Sequence, residues 1–519
     1  MFTATGIGEA ALSAAGRKVV RRAGKQVLLI ASEGRLFAIA NRCPHEGYPL
    51  SEGTEGPGCV LTCNWHNWKF DLATGAALVG RDPVRTYALE VRDGEIFVDL
   101  SDPPAEAQRE RALNGLAAAL EDNDRPRMAR EVARLERAGF DAREAVAHAF
   151  TARNEFFEYG MTHAHAAAAD WLALAERAPS DAARLTAMLE PIGHIAWDTQ
   201  GAARYPYAAG AKTWNAEAFI AAIETENETD AVALLRGALA SGVARETILK
   251  ALGRAALSHY ADFGHSAIYT FKSGQLIARL GADEAVLLTL TRSLIAATRE
   301  DRLPEFRAYE KALAAWDGAG DAPARPEDFI GLSIDAALKR MLASSGRPTR
   351  EIYDALLGAA AWNLLHFDTA VDAATQNAIA DNVSWLDFTH ALTFANAVRH
   401  ICAEQPELWP RALLQMALFV GRNKSYVRAD GDADAWRVGG DFVAREMESL
   451  FDHGIIEPII ACHRLKMLFA LEDETAATPD APWLPTMRAA MNRWLHTPQK
   501  RHHGLRLAAQ AQDFVAKEG

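Results

Sequence analysis

Cysteine is scarce in this chain, with five in 519 residues. That is too few for a disulfide framework and fits a reducing compartment. Long apolar runs are also missing. The first twenty-two residues, ending Arg17-Lys18-Val19-Val20-Arg21-Arg22, lack the apolar core of a signal peptide, and no later stretch is long enough to span a bilayer. The net charge of −13 argues against nucleic acid or an anionic membrane as the main partner. No Gly-x-Gly-x-x-Gly follows a strand-like run, and P-loop and Gly-x-Ser-x-Gly patterns are absent. The usual signs of nicotinamide, flavin or ATP binding and of an α/β-hydrolase are therefore lacking. What remains is a cytoplasmic globular protein, long enough for roughly two to four domains.

The most informative stretch is Cys43-Pro44-His45, followed after seventeen residues by Cys63-Asn64-Trp65-His66. Each loop supplies one thiolate and one imidazole. Together they suit a [2Fe–2S] cluster, with Cys43 and Cys63 on one iron and His45 and His66 on the other. A Cys2His2 set also suits tetrahedral zinc, although zinc knuckles usually pair two Cys in one loop and two His in the other.

The runs Cys43-Pro44-His45-Glu46-Gly47-Tyr48-Pro49-Leu50-Ser51 and Cys63-Asn64-Trp65-His66-Asn67-Trp68-Lys69-Phe70-Asp71, closing with Thr74-Gly75, resemble a Rieske domain of the ferredoxin and ring-hydroxylase branch over roughly residues 15–100. Asn64 stands where that family usually has Pro, and Asn67 where it usually has Gly. The resemblance implies a small all-β domain, a [2Fe–2S] cluster on the four ligands above, and an external reductase or ferredoxin as electron donor. Respiratory Rieske centres add a disulfide and hydroxyl donors to the cluster. Here the hydroxyl positions read Trp68 and Phe70, which predicts a potential at the low end of the Rieske range. Cys59 reads as an ordinary thiol.

Beyond the linker at 101–108 the texture changes. Ala, Leu, Glu and Arg dominate at helical spacing, which predicts an all-α domain over 109–519 behind a Rieske domain at 1–100. Three helix starts look alike: Asp141-Ala142-Arg143-Glu144, Val243-Ala244-Arg245-Glu246 and Pro348-Thr349-Arg350-Glu351, spaced 102 and 105 residues apart. They suggest repeats near 125–225, 226–330 and 331–430, with a partial unit at 431–519. Apolar helices are expected to begin at Leu185, Leu287 and Leu413.

Histidine recurs at matched places in these units: His163, His265 and His390, with His463 in the partial one. Asp262 precedes His265 by three residues, as Asp387 precedes His390, and His259 lies three before Asp262. Such spacing places carboxylate and imidazole on one helical face, as a carboxylate-bridged iron site requires. A non-haem iron site on His163, His265, His390 and His463, with His259, Asp262 and Asp387 in catalytic roles, is the expectation. Trp171, Tyr260, Tyr269, Trp362, Trp385 and Phe394 are candidates to line a pocket for a small organic substrate, and His194 could join them. His148, His400, His453, His496, His502 and His503 read as solvated.

The Asp-Phe-x-His runs and Ala461-Cys462-His463-Arg464-Leu465-Lys466 distantly resemble questin-oxidase-type oxygenases. The catalytic half of a standard ring hydroxylase has no counterpart here. The sequence reading is thus an oxidoreductase in which the cluster relays electrons to an oxygen-using iron site. The alternative is a Rieske electron carrier or redox sensor tethered to a helical protein-binding scaffold. In that case the histidines would scatter.

Overall fold

The computed structural model describes residues 2–429 and 432–518, in two compact units, Met1–Arg111 and Ala112–Gly519. The first is built from ten strands: β1 (Phe2–Gly8), β2 (Arg17–Arg22), β3 (Lys25–Ser32), β4 (Arg35–Ala40), β5 (Thr54–Gly56), β6 (Val60–Thr62), β7 (Lys69–Asp71), β8 (Ala77–Val79), β9 (Leu89–Arg92) and β10 (Glu95–Asp99). They form three antiparallel sheets in the orders β1-β10-β9, β2-β3-β4 and β5-β6-β7-β8. Ala23-Gly24, Glu33-Gly34 and Asp93-Gly94 connect three of the hairpins with positive φ at both residues, the geometry that two-residue turns prefer.

The unbroken apolar run Val27-Leu28-Leu29-Ile30 has a physical reason. Side chains alternate across a strand, so Leu28 and Ile30 enter one apolar core while Val27 and Leu29 enter another on the opposite face. The first of these cores also contains Cys43, Cys63, Leu61 and Phe70.

Twenty of the 21 helices among the described residues begin at or after Ala105. The expected linker at 101–108 is extended only to Pro104; Ala105 starts a helix that runs to Glu121. In the second unit the helices Arg143–Arg153, His163–Ala175 and Asp181–Asp198 recur 102 residues on as Arg245–Ala256, His265–Leu280 and Asp283–Ala296. Leu185, Leu287 and Leu413 are each the fifth residue of their helices, not the first, because Asp181, Asp283 and Trp409-Pro410 provide earlier starts. The expected boundary at 430/431 lies outside the described residues.

Four helices organise this unit: His163–Ala175, His265–Leu280, Trp385–Glu404 and Pro458–Ala477. Each packs on the next and the last packs back on the first, closing a four-helix ring. Every helix of the ring carries one of the four singled-out histidines.

Candidate metal centres

In the first unit the two Cys–His loops have the same backbone design. The Cys43 N–H donates to the Tyr48 carbonyl (2.8 Å) and the Gly47 N–H to the Cys43 carbonyl (2.9 Å). Cys63 repeats this with Trp68 (2.7 Å) and Asn67 (2.9 Å). The fifth residue of each loop is left-handed, with φ +79° at Gly47 and +59° at Asn67. Asn is among the few residues with a side chain that enter this region readily, so Asn67 in place of Gly preserves the loop. Asn64, in place of Pro, donates from its side chain to the Glu52 carbonyl at 2.8 Å.

The two thiols are buried, whereas His45 is half-buried and His66 exposed. Burial, and then the facing Cys63, push the Cys43 thiol up to about 11. Two thiols so placed call for a cation between them. The Nδ1 atoms of His45 and His66 lie 3.2 Å apart. Trp68 lies flat against His45, with ring centroids 4.7 Å apart. Gly80 makes this possible, since a Cβ there would sit 2.3 Å from Trp68 Cδ2. Cys59 is buried, with its Sγ near Glu33.

In the second unit His163, His265, His390 and His463 converge inside the ring. One ring nitrogen from each of His163, His265 and His390 lies within 4.8 Å of the others. Nε2 of His265 is 3.1 Å from Nε2 of His163, and Nε2 of His463 is 3.2 Å from Nε2 of His390. The outer nitrogens of His463 and His265 are held by backbone carbonyls. His463 Nδ1 donates to the Ile459 carbonyl (2.8 Å) and His265 Nδ1 to the Asp262 carbonyl (2.5 Å).

A carbonyl only accepts, so the proton of each of these neutral rings sits on the outer nitrogen. His463 therefore points a bare lone pair at Nε2 of His390, and His265 points one at Nε2 of His163. Neutral imidazole nitrogens converging in one place are the donors that a transition-metal ion takes, so the donor set fits a metal ion. Burial lowers all four imidazoles, which keeps them neutral.

The positions within the helices differ from the matched placement expected. His163 and His265 are the first residues of their helices, while His390 and His463 are both sixth. Among the described residues no carboxylate joins the group. Asp262 and His265 do not share a helical face, because Asp262, Phe263 and Gly264 form a left-handed turn before the helix (φ +51°, +47° and +81°). The Asp262 carboxylate stands 3.6 Å from the outer nitrogen of His265. Asp387 instead caps its helix by accepting from the Ser384 N–H (2.8 Å) and pairs with Arg422 (3.1 Å). His259 is held between Asp301 (2.8 Å) and Glu224 (3.0 Å).

Of the six candidate aromatics, Tyr269 is the one with ring contacts to the group, at 5.2 Å from His265 and 6.2 Å from His163. Trp362 stacks on His366. Trp171, Tyr260, Trp385 and Phe394 are core. His496 and His502 are exposed as expected, and His148 is half-buried. His400, His453 and His503 are also half-buried, because neighbouring helices offer them Asp473, Glu190 and Asp372. His194 is buried 3.6 Å from Asp198.

The sequence reading missed a buried charged layer beneath the histidines. Asp170 and Lys272, each seven residues after the histidine that starts its helix, pair at 2.7 Å with side chains 3% and 8% exposed. Lys466, three residues after His463, is 1% exposed and its Nζ has no hydrogen-bond partner among the described residues. The equal offsets of Asp170 and Lys272 from the histidines were the available signal.

The first unit has recognisable relatives. A family model described as the Rieske [2Fe-2S] domain matches residues 8–88. The 3-phenylpropionate/cinnamic acid dioxygenase ferredoxin subunit of Photorhabdus laumondii subsp. laumondii is 35% identical over 78 residues, 15% of this chain and 74% of that protein. The 4beta-methylsterol monooxygenase of Methylococcus capsulatus is 35% identical over 99 residues, 17% of this chain and 26% of that enzyme. This chain thus matches about a quarter of the monooxygenase's length. Among solved structures, the ferredoxin of carbazole 1,9a-dioxygenase from Nocardioides aromaticivorans IC177 is 25% identical with a TM-score of 0.18, covering 20% of this chain and 99% of that one. Through residues 8–88, this chain belongs to the Rieske [2Fe–2S] family.

Proposed function

We propose that this protein is an oxidoreductase in which a Rieske centre on Cys43, His45, Cys63 and His66 feeds electrons to a non-haem iron held by His163, His265, His390 and His463, where a small organic substrate is oxidised with O2. Bound there, the cluster supplies one electron at a time and the iron supplies the site at which oxygen is reduced. The electrons come from a separate reductase or ferredoxin. The relatives are named as parts of oxygenase systems, which supports the pairing of cluster and oxygen chemistry.

The observation that carries the reading is the convergence of four imidazoles inside the helix ring, with Nε2 atoms 3.1 Å apart in His163 and His265 and 3.2 Å apart in His390 and His463. The carbonyls of Asp262 and Ile459 fix the tautomers of His265 and His463, aim their lone pairs inward and raise their basicity. Burial within the ring of helices keeps the imidazoles neutral. Tyr269 brings a buried phenol ring beside His265.

The test is iron content and reductant-dependent O2 uptake in His265→Ala and His390→Ala. Both are expected to lose the iron in excess of the cluster and the O2 uptake while keeping the Rieske spectrum. Unchanged iron content and uptake would overturn the assignment.

A further inference from the structure

We infer that Asp198 and Glu300 are a matched pair of positioning residues, each holding the turn from which a metal-binding histidine starts its helix. This rests on the reading of the four histidines as a metal site. Each acid lies 35 residues after the histidine it serves, Asp198 after His163 and Glu300 after His265.

Asp198 ends the helix Asp181–Asp198, and its Oδ2 accepts from the Thr162 hydroxyl at 2.5 Å. That hydroxyl in turn accepts from the Ala164 N–H (3.3 Å), and the Thr162 N–H donates to His165 Nδ1 (3.3 Å). The cap on which His163 sits is therefore fastened to a second helix through one carboxyl oxygen.

Glu300 occupies the corresponding place at a more demanding turn. The segment 298–300 runs antiparallel to 260–262: the Asp262 N–H donates to the Thr298 carbonyl (2.8 Å), and the Glu300 N–H to the Tyr260 carbonyl (3.0 Å). This brings the Glu300 side chain, 2% exposed, beside the backbone amides of Asp262 and Phe263, with its Oε2 left without a hydrogen-bond partner among the described residues. These two residues and Gly264 are consecutively left-handed, a conformation that bulky residues leave unless it is held. A Cβ at Gly264 would meet Phe394 at 2.7 Å, so the turn has no room to shift. Its outcome is that the Asp262 carbonyl faces His265 Nδ1 and fixes that ring.

Both acids are drawn toward the neutral form by burial, Asp198 to about 6 and Glu300 to about 8. What the turns use is an accepting oxygen rather than a full charge. Asn and Gln should therefore substitute, whereas Ala and Leu should not.

The experiment uses the full-length protein after EDTA treatment, with the Rieske spectrum confirmed intact. Co2+ titration is followed by d–d absorption, and amide exchange by mass spectrometry. Asp198→Ala and Glu300→Leu are expected to weaken Co2+ binding about 10- to 100-fold and to speed exchange around residues 160–166 and 260–266 respectively. Asp198→Asn and Glu300→Gln should stay close to wild type, and Thr162→Val should reproduce Asp198→Ala.

Wild-type exchange and binding in the Ala and Leu variants would overturn the proposal. So would Asn and Gln variants that behave like Ala and Leu, since charge would then matter. If wild type itself binds no Co2+, the metal reading fails, while the exchange data still decide whether these residues hold the turns. Should Glu300→Leu not fold, the Thr162→Val and Asp198→Asn comparison carries the same decision.

Discussion

The buried pair Asp170–Lys272 joins the helices that begin with His163 and His265, two turns below those histidines, and a mutational cycle there tests how the site is supported. At 2.7 Å and an effective dielectric near 20, the gross attraction is about 6 kcal/mol. Desolvation of both groups cancels much of it, so the pair itself is worth little against apolar residues of the same size. Leaving one charge behind is what costs, by about 3–5 kcal/mol.

Asp170→Leu is expected to be the worse single change, because Asp170 also offsets the charge of the buried Lys466. Lys272→Met should cost less, and Asp170→Leu/Lys272→Met should recover most of the loss. Urea unfolding followed by far-UV circular dichroism reports the helical unit, while the visible absorption of the cluster reports the other unit separately. A double variant as unstable as the sum of its singles would refute the reasoning, since the two side chains would then not be coupled.

Other expectations follow from single contacts. Asn67→Gly should leave cluster retention on heating unchanged or improve it by up to about 1 kcal/mol, whereas Asn67→Ala should cost about 1 kcal/mol. Both can be read from the melting of the visible circular dichroism signal. Gly80→Ala must displace Trp68 from His45, at about 1–3 kcal/mol, and should shift the midpoint potential and the EPR g values of the reduced cluster.

His165 and His194 are both pushed down to about 3 by burial. Below the unfolded value near 6.5 the unfolded chain therefore binds more protons. Stability should fall as pH drops from 6.5 toward 3, by up to about 1.4 kcal/mol per unit for each histidine, with no contribution above 6.5. Asp198, raised to about 6, offsets part of this below pH 6. His165→Phe, packed against Phe150 and Phe157, should flatten the slope measured by urea midpoints at pH 5 and 7.

Much of this molecule was legible because its signals are local. The two Cys–His loops carry their chemistry within six residues each, and the loss of β-type runs after Pro104 marks where helices begin. The recurrence of His163 and His265 at a spacing of 102 residues also pointed to partners that the chain brings together.

What failed depended on backbone direction. A spacing of three puts Asp262 and His265 on one face only if both are helical, and the left-handed turn at 262–264 breaks that condition with no sequence cue beyond Gly264. Asp387 could have been assigned from sequence: Ser384-x-x-Asp387 is a helix-start pattern, and the structure uses it as one. Closure of the ring by the helix of His463 depends on packing among four distant segments, which no local pattern encodes.

The most direct test of the account is iron and acid-labile sulfide per chain on anaerobically purified protein, with EPR of the dithionite-reduced form. We expect a Rieske-type signal from two irons and two sulfides, plus further iron without matching sulfide. Two irons, two sulfides and nothing more would leave the four histidines without a metal and contradict the central claim.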